Sequence, residues 1–110
     1  MALAQRHSIS NLTRLALAPA HLEKPERDLW ANIVRTFKFD DEGSLEILAS
    51  ALEARMRSRR CREAINKEGE VWRDHRGGLR PHPLLNAERS ARSSYIGAMR
   101  LLRLDTSGKK

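Results

Sequence analysis

Apolar side chains along this chain fall into three blocks with a helical rhythm, separated by two breaks. In the first block Leu29, Trp30, Ile33, Val34 and Phe37 recur at the 3.6-residue spacing of one helix face. Pro25 suits a first helical position, where a missing N–H would have had no partner anyway, and Glu26 and Asp28 favour the positive end of the helix dipole. The second block predicts one long helix. Asp40 is its expected N-cap, Asp41 and Glu42 belong to its first turn, and no Pro or Gly interrupts from Ser44 to Glu68 before Gly69 stops it. Residues 70–83 contain Gly77, Gly78, Pro81 and Pro83 and read as a loop or weak hairpin around Val71, Trp72 and Leu79. A third helix is expected from about Leu84 to Leu104, with Leu84, Ala87, Ala91, Tyr95, Ala98 and Leu102 on one side. The fold class is all-α: a short helix plus two long antiparallel helices joined by the Pro/Gly segment. The expected divisions are a flexible basic N-terminal arm over 1–22, a helical oligomerisation and DNA-engaging core over 23–105 and a disordered tail over 106–110.

Length turns this pattern into a statement about assembly. A helix of about 28 residues extends about 42 Å, whereas a compact chain of this size has a radius of gyration of about 13–14 Å and a diameter near 35 Å. The second helix therefore overhangs its own fold. An overhanging amphipathic helix buries its remaining apolar side against something, and a second copy of the chain is the simplest partner. The small residues of the stripe Leu84, Ala87, Ala91, Tyr95, Ala98 and Leu102 allow a neighbour to approach closely, so this side is the expected oligomer interface. A monomeric helical hairpin with frayed ends is the alternative.

Composition narrows the class. With 110 residues, 21 Lys and Arg, 14 Asp and Glu and a formal charge of +7, the chain has room for one domain and little room for a large buried cleft, which argues against a self-contained enzyme. One cysteine, Cys61, forms no intramolecular disulfide, and a reducing compartment fits it best. The longest uncharged stretch, Leu15 to Leu22, is far short of the roughly 20 apolar residues that span a bilayer, so no membrane partner is expected. The first 22 residues hold Arg6 and Arg14 and no acid. Charge is unevenly placed: residues 25–50 carry three cations against six acids, residues 51–80 nine against five, and residues 81–110 six against two. Most cations are Arg, whose planar fork pairs bidentately with phosphates and carboxylates.

The arginines of the second helix hold most of the chemistry. At 100° per residue, Arg55, Arg59 and Arg62 continue the face that Leu45, Leu48 and Leu52 occupy earlier, so one face turns from apolar to cationic along its length. A row of guanidinium groups at one-turn spacing suits phosphates, or acids on a neighbouring subunit, and both readings stand. Local pairs, Glu53 with Arg57 and Arg59 with Glu63, neutralise two of the cluster's five arginines at about 0.2–0.5 kcal/mol each. Arg73, Arg76 and Arg80 in the Pro/Gly segment extend the basic set. Cys61, His75 and His82 lack the spacing of a zinc site, so no metal or other cofactor is expected, and no catalytic residue is assigned. Gly77-Gly78 is a turn and not a phosphate-cradling loop.

The runs PAHLEKPERDLWANIV, FDDEGSLEILASALEARMRSRRCREAINKEG and RPHPLLNAERSARSSYIGAMRLLRLD resemble one family of the small terminase subunit of tailed bacteriophages and of related prophage or gene-transfer particles. The resemblance covers roughly residues 19–105. It rests on Leu29-Trp30, the opening of the second helix from Asp41 to Leu48, the Gly69 stop, and His82-Pro83 leading into Asn86-Ala87-Glu88. It implies a ring-forming, non-enzymatic DNA-packaging protein in the cytoplasm of a bacterial host, absent from the mature virion. Its partners would be double-stranded DNA, further copies of itself and the large terminase subunit, whose ATPase and nuclease it regulates. Many members carry a helix-turn-helix module ahead of the oligomerisation core, and a 22-residue arm is too short to be one. DNA contact is therefore expected to be sequence-tolerant and electrostatic, through Arg55, Arg59, Arg62, Arg73, Arg76 and Arg80. The rival readings are a head-completion or adaptor ring without DNA affinity and a small basic transcriptional regulator.

Overall fold

The computed structural model describes residues 17–39 and 41–103. Helix α1 (Lys24–Phe37) begins with Pro25 in its first turn and Glu26 near the positive end of its dipole. It ends at Lys38, which takes a left-handed conformation (φ 52°) and donates its N–H to the Val34 carbonyl. Helix α2 (Glu42–Glu68) runs 27 residues, about 40 Å at 1.5 Å per residue. Its N-cap is Asp41 rather than the expected Asp40, which lies outside the described residues: the Asp41 carboxylate accepts from the Ser44 N–H at 2.8 Å. Hydrogen bonding from Ser44 holds that carboxyl below the usual range. At the other end Gly69, at φ 90°, donates its N–H to the Ile65 carbonyl and lets the chain leave the helix in a conformation L residues rarely adopt.

The Pro/Gly segment is a two-stranded hairpin. Strands β1 (Val71–Arg73) and β2 (Leu79–Pro81) pair antiparallel, with Trp72 opposite Arg80 and Arg73 opposite Leu79. Asp74 organises the turn, its carboxylate accepting from the N–H groups of Arg76 and Gly78, while Gly77 takes φ 81°. His82 then sets up helix α3 (Leu85–Leu101): its Nδ1 accepts from the Leu84 N–H at 3.0 Å and its carbonyl accepts from the Leu85 N–H. The expected helix began at Leu84 and ran to Leu104; the observed one stops at Leu101, Arg103 is left-handed (φ 59°), and residue 104 lies outside the described residues.

α1 runs antiparallel to α2, and α2 antiparallel to α3, so α2 is the central rod. Leu22, Trp30 and Ile33 pack against Leu45, Leu48, Leu52 and Met56, and Tyr95, Met99 and Leu102 of the α3 end close the same core. Leu22, expected as the last residue of the arm, and Ala18 belong to this core because α1 alone leaves part of the α2 leucine face uncovered. Residues 1–16 of the expected arm and the expected tail lie outside the described residues. The molecule is a rod of 70 × 31 × 18 Å with a radius of gyration of 18.4 Å. Among the described residues no helix is long and apolar enough to cross a membrane.

Candidate nucleic-acid interface

The face of α2 that turns from leucine to arginine is covered by partners matched to each half. Where Arg55, Arg59 and Arg62 follow the leucines, acids of α1 and α3 meet them. Arg59 donates through Nε and Nη2 to the two oxygens of Glu26 at 3.0 and 2.7 Å, through Nη2 to Glu23 at 2.6 Å, and through Nη1 to Glu63 at 3.4 Å. Arg60 adds a fork to Glu23, at 3.2 and 2.9 Å. Glu26 is fully buried, and such a carboxylate is tolerated only because both its oxygens are charge-paired. Hydrogen bonds from Arg60 and Arg59 pull the Glu23 carboxyl below its ordinary range, and those to Glu26 push the Arg59 guanidinium up.

On the α3 side Arg62 donates to Glu88 Oε1 at 3.1 Å, Ser58 Oγ donates to Glu88 Oε2 at 3.0 Å, and Arg92 stands 3.5 Å from the same oxygen. Burial pushes the Glu88 carboxyl up, and Ser58, Arg92 and Arg62 together outweigh it, so the net direction is down. Arg55 sits 3.9 Å from Glu26, with its guanidinium 5.8 Å from the centre of the Tyr95 ring. Within one chain, then, the arginines of this stretch meet acids 26 to 37 residues away in sequence. The short-range Arg59–Glu63 pair is present, whereas Glu53 faces His21 at 3.4 Å instead of Arg57.

The other three expected DNA contacts lie on the hairpin. Arg73, Arg76 and Arg80 are all exposed. Arg80 pairs with Asp74 at 3.0 Å and Arg73 donates to the Gly77 carbonyl at 3.1 Å. Asp74 is held below the ordinary carboxyl range by Arg80 first, then by the backbone N–H groups of Gly78 and Arg76. Around these cations Val71, Trp72 and Leu79 are 60%, 41% and 68% exposed, and Trp72 packs its ring edge-on against His82 at 5.1 Å. No family model, curated protein or solved structure matches this chain.

The stripe expected at a subunit interface is mostly used inside the chain. Ala91 is buried, Leu84, Tyr95, Ala98 and Leu102 are half-buried, and only Ala87 is exposed, because α3 turns this side toward α2. The opposite side of α3 carries a feature the apolar pattern does not reveal. Arg89, Arg92 and Arg100 lie within about 80° of one another around the helix and all are exposed, with Arg92 and Ile96 at the flank that turns back toward α2. Their spacing of three and eight residues is the signal in the sequence for such a face, hidden there because it is a periodicity of charge rather than of apolar residues. Among the described residues no group of three His, Cys, Asp or Glu side chains is placed to hold a metal ion.

Proposed function

We propose that the chain is a small-terminase-like subunit: a non-enzymatic, ring-forming DNA-packaging protein that engages duplex DNA largely through phosphates and regulates a large terminase subunit in a bacterial cytoplasm. The observation that carries the DNA reading is the division of labour among arginines. Glu23 and Glu26 neutralise Arg59 and Glu88 pairs with Arg62 on α2, and exposed cations accumulate on the hairpin and the outer side of α3. Phosphate contact therefore falls mainly to Arg73, Arg76, Arg89 and Arg100, with Arg55, Arg59 and Arg62 behind them. The self-association reading draws support from a central rod longer than a compact fold of this size and from exposed Leu101 and Ile96 toward the end of α3.

An electrophoretic shift with a random-sequence duplex in low salt tests this. The complex should weaken steeply as salt rises, and Arg73→Ala with Arg76→Ala should flatten the dependence of log affinity on log salt by about 0.9 for each phosphate no longer neutralised. A chain that ignores duplex in low salt is instead an adaptor ring, the reading that the apolar exposure of Val71 and Leu79 favours.

A further inference from the structure

Between α2 and α3 lies an open cleft of about 400 Å³, lined by Arg55, Arg59, Arg62 and Arg92 and by the acid Glu88, together with Ser58 and Tyr95. Arg59 is saturated by Glu23, Glu26 and Glu63. Of the remaining three cations, Arg62 and Arg92 share the buried carboxylate of Glu88, at 3.1 and 3.5 Å. Glu70 reaches Arg62 only at 4.0 Å and from an exposed position. Arg55 is the least satisfied of the three. Its nearest acid oxygen, Glu26 Oε2 at 3.9 Å, already accepts from Arg59, and its own buried Nε has no hydrogen-bond partner among the described residues. The Tyr95 ring beneath the guanidinium holds it at the cleft wall.

We propose that this cleft binds a phosphate group, gripped by Arg55, Arg62 and Arg92 and by the Ser58 hydroxyl. Glu88 reaches Arg62 and Arg92 but not Arg55, whereas a tetrahedral oxyanion offers acceptor oxygens to all three forks at once. Rotation of the half-exposed Arg55 side chain brings its idle donors to such a group. The site rests on the DNA reading only for the source of the phosphate: a backbone phosphodiester and a free phosphate or pyrophosphate present the same oxyanion.

The test uses the full chain with ¹⁵N-labelled arginine, following the side-chain Nε–H resonances during titration with pyrophosphate and, separately, with a short DNA duplex. Saturable shifts of Arg55, Arg62 and Arg92, against an unsaturable drift of Arg57, which does not line the cleft, are the expected result. Arg92→Gln, which gives up a 3.5 Å pair to Glu88 while Arg62 and Ser58 still hold that carboxylate, should weaken saturation at least tenfold with an unchanged circular dichroism spectrum; Arg55→Gln should do the same. Saturation by pyrophosphate alone assigns the cleft to a free phosphate, and a gel shift then decides the DNA reading independently. Saturation by the duplex as well assigns it to the backbone. Drift without saturation at all three arginines overturns the site. So does pyrophosphate saturation of equal affinity in wild type and Arg92→Gln, and that outcome leaves the DNA reading standing.

Discussion

Glu26 and Arg59 join α1 to α2 across 33 residues of sequence through two short hydrogen bonds, with the carboxylate fully buried and the guanidinium mostly so. Glu26→Ala strands part of that guanidinium, and since Glu23 and Glu63 remain, the loss should lie at the lower end for a broken buried pair, about 3 kcal/mol in urea denaturation. Glu26→Leu combined with Arg59→Leu should recover most of it, because removing both charges removes the desolvation penalty too. At this scale residue types and helix faces are legible in the sequence, and partners are not. The Arg59–Glu63 pair is visible because four residues make one helical turn; Glu23, Glu26 and Glu88 are not, because their pairing depends on how three helices are laid against one another. The N-cap illustrates a smaller ambiguity: Asp40 and Asp41 have the same chemistry, and only the bond to the Ser44 N–H distinguishes them.

Among the elements, the leucine rhythm of α2 is legible because the face it defines is the core. Leu48 is fully buried at its centre, and Leu48→Ala should cost about 2–5 kcal/mol in the same denaturation assay, more than any single surface arginine. The helix stop at Gly69 is equally legible, and its cause is conformational: at φ 90° a Cβ is strained even though the nearest atom, the Val71 carbonyl oxygen, is 4.0 Å away. Gly69→Ala should lower stability by about 1–3 kcal/mol and disturb the hairpin before the helices, seen as reduced protection of the Asp74 and His82 amides in hydrogen exchange. The hairpin itself is half legible. Two strands of three residues with every side chain exposed leave no buried alternation to read, so the turn chemistry of Asp74, Gly77 and Gly78 is the available signal.

For the whole molecule, the elongation expected from helix length is present: the radius of gyration of 18.4 Å exceeds the about 13–14 Å of a compact chain of this size. If protomers associate, light scattering should return a multiple of 12.6 kDa at micromolar concentration; a monomeric mass would end the ring reading. Acid should loosen the packing of α1 and α3 on the central rod. Glu23 and Glu88 both have folded-state pKa values below the ordinary 4.5, so they bind protons more weakly in the fold than in the unfolded chain. Their contribution is fully present above pH 4.5 and is lost as pH falls through the lowered values. Trp30 emission in a Trp72→Phe background should therefore stay constant near neutrality and shift red below pH 4.5 as α1 separates, with Glu23→Gln removing part of the transition. Nothing in the charge count foretells this, since it gives the sum of cations and acids but not which acid sits against which helix.

The hairpin is fastened to the rod at the point where α3 begins. Glu68, the last residue of α2, lies 2.6 Å from His82 Nε2; the other imidazole nitrogen holds the Leu84 N–H, and Trp72 leans on the ring. Mechanically the hairpin is a crank handle whose axle is that imidazole. A load applied at the tip would reach the first turn of α3 through that ring, and His82→Ala should loosen the link, read as faster hydrogen exchange at the Leu84 and Leu85 amides.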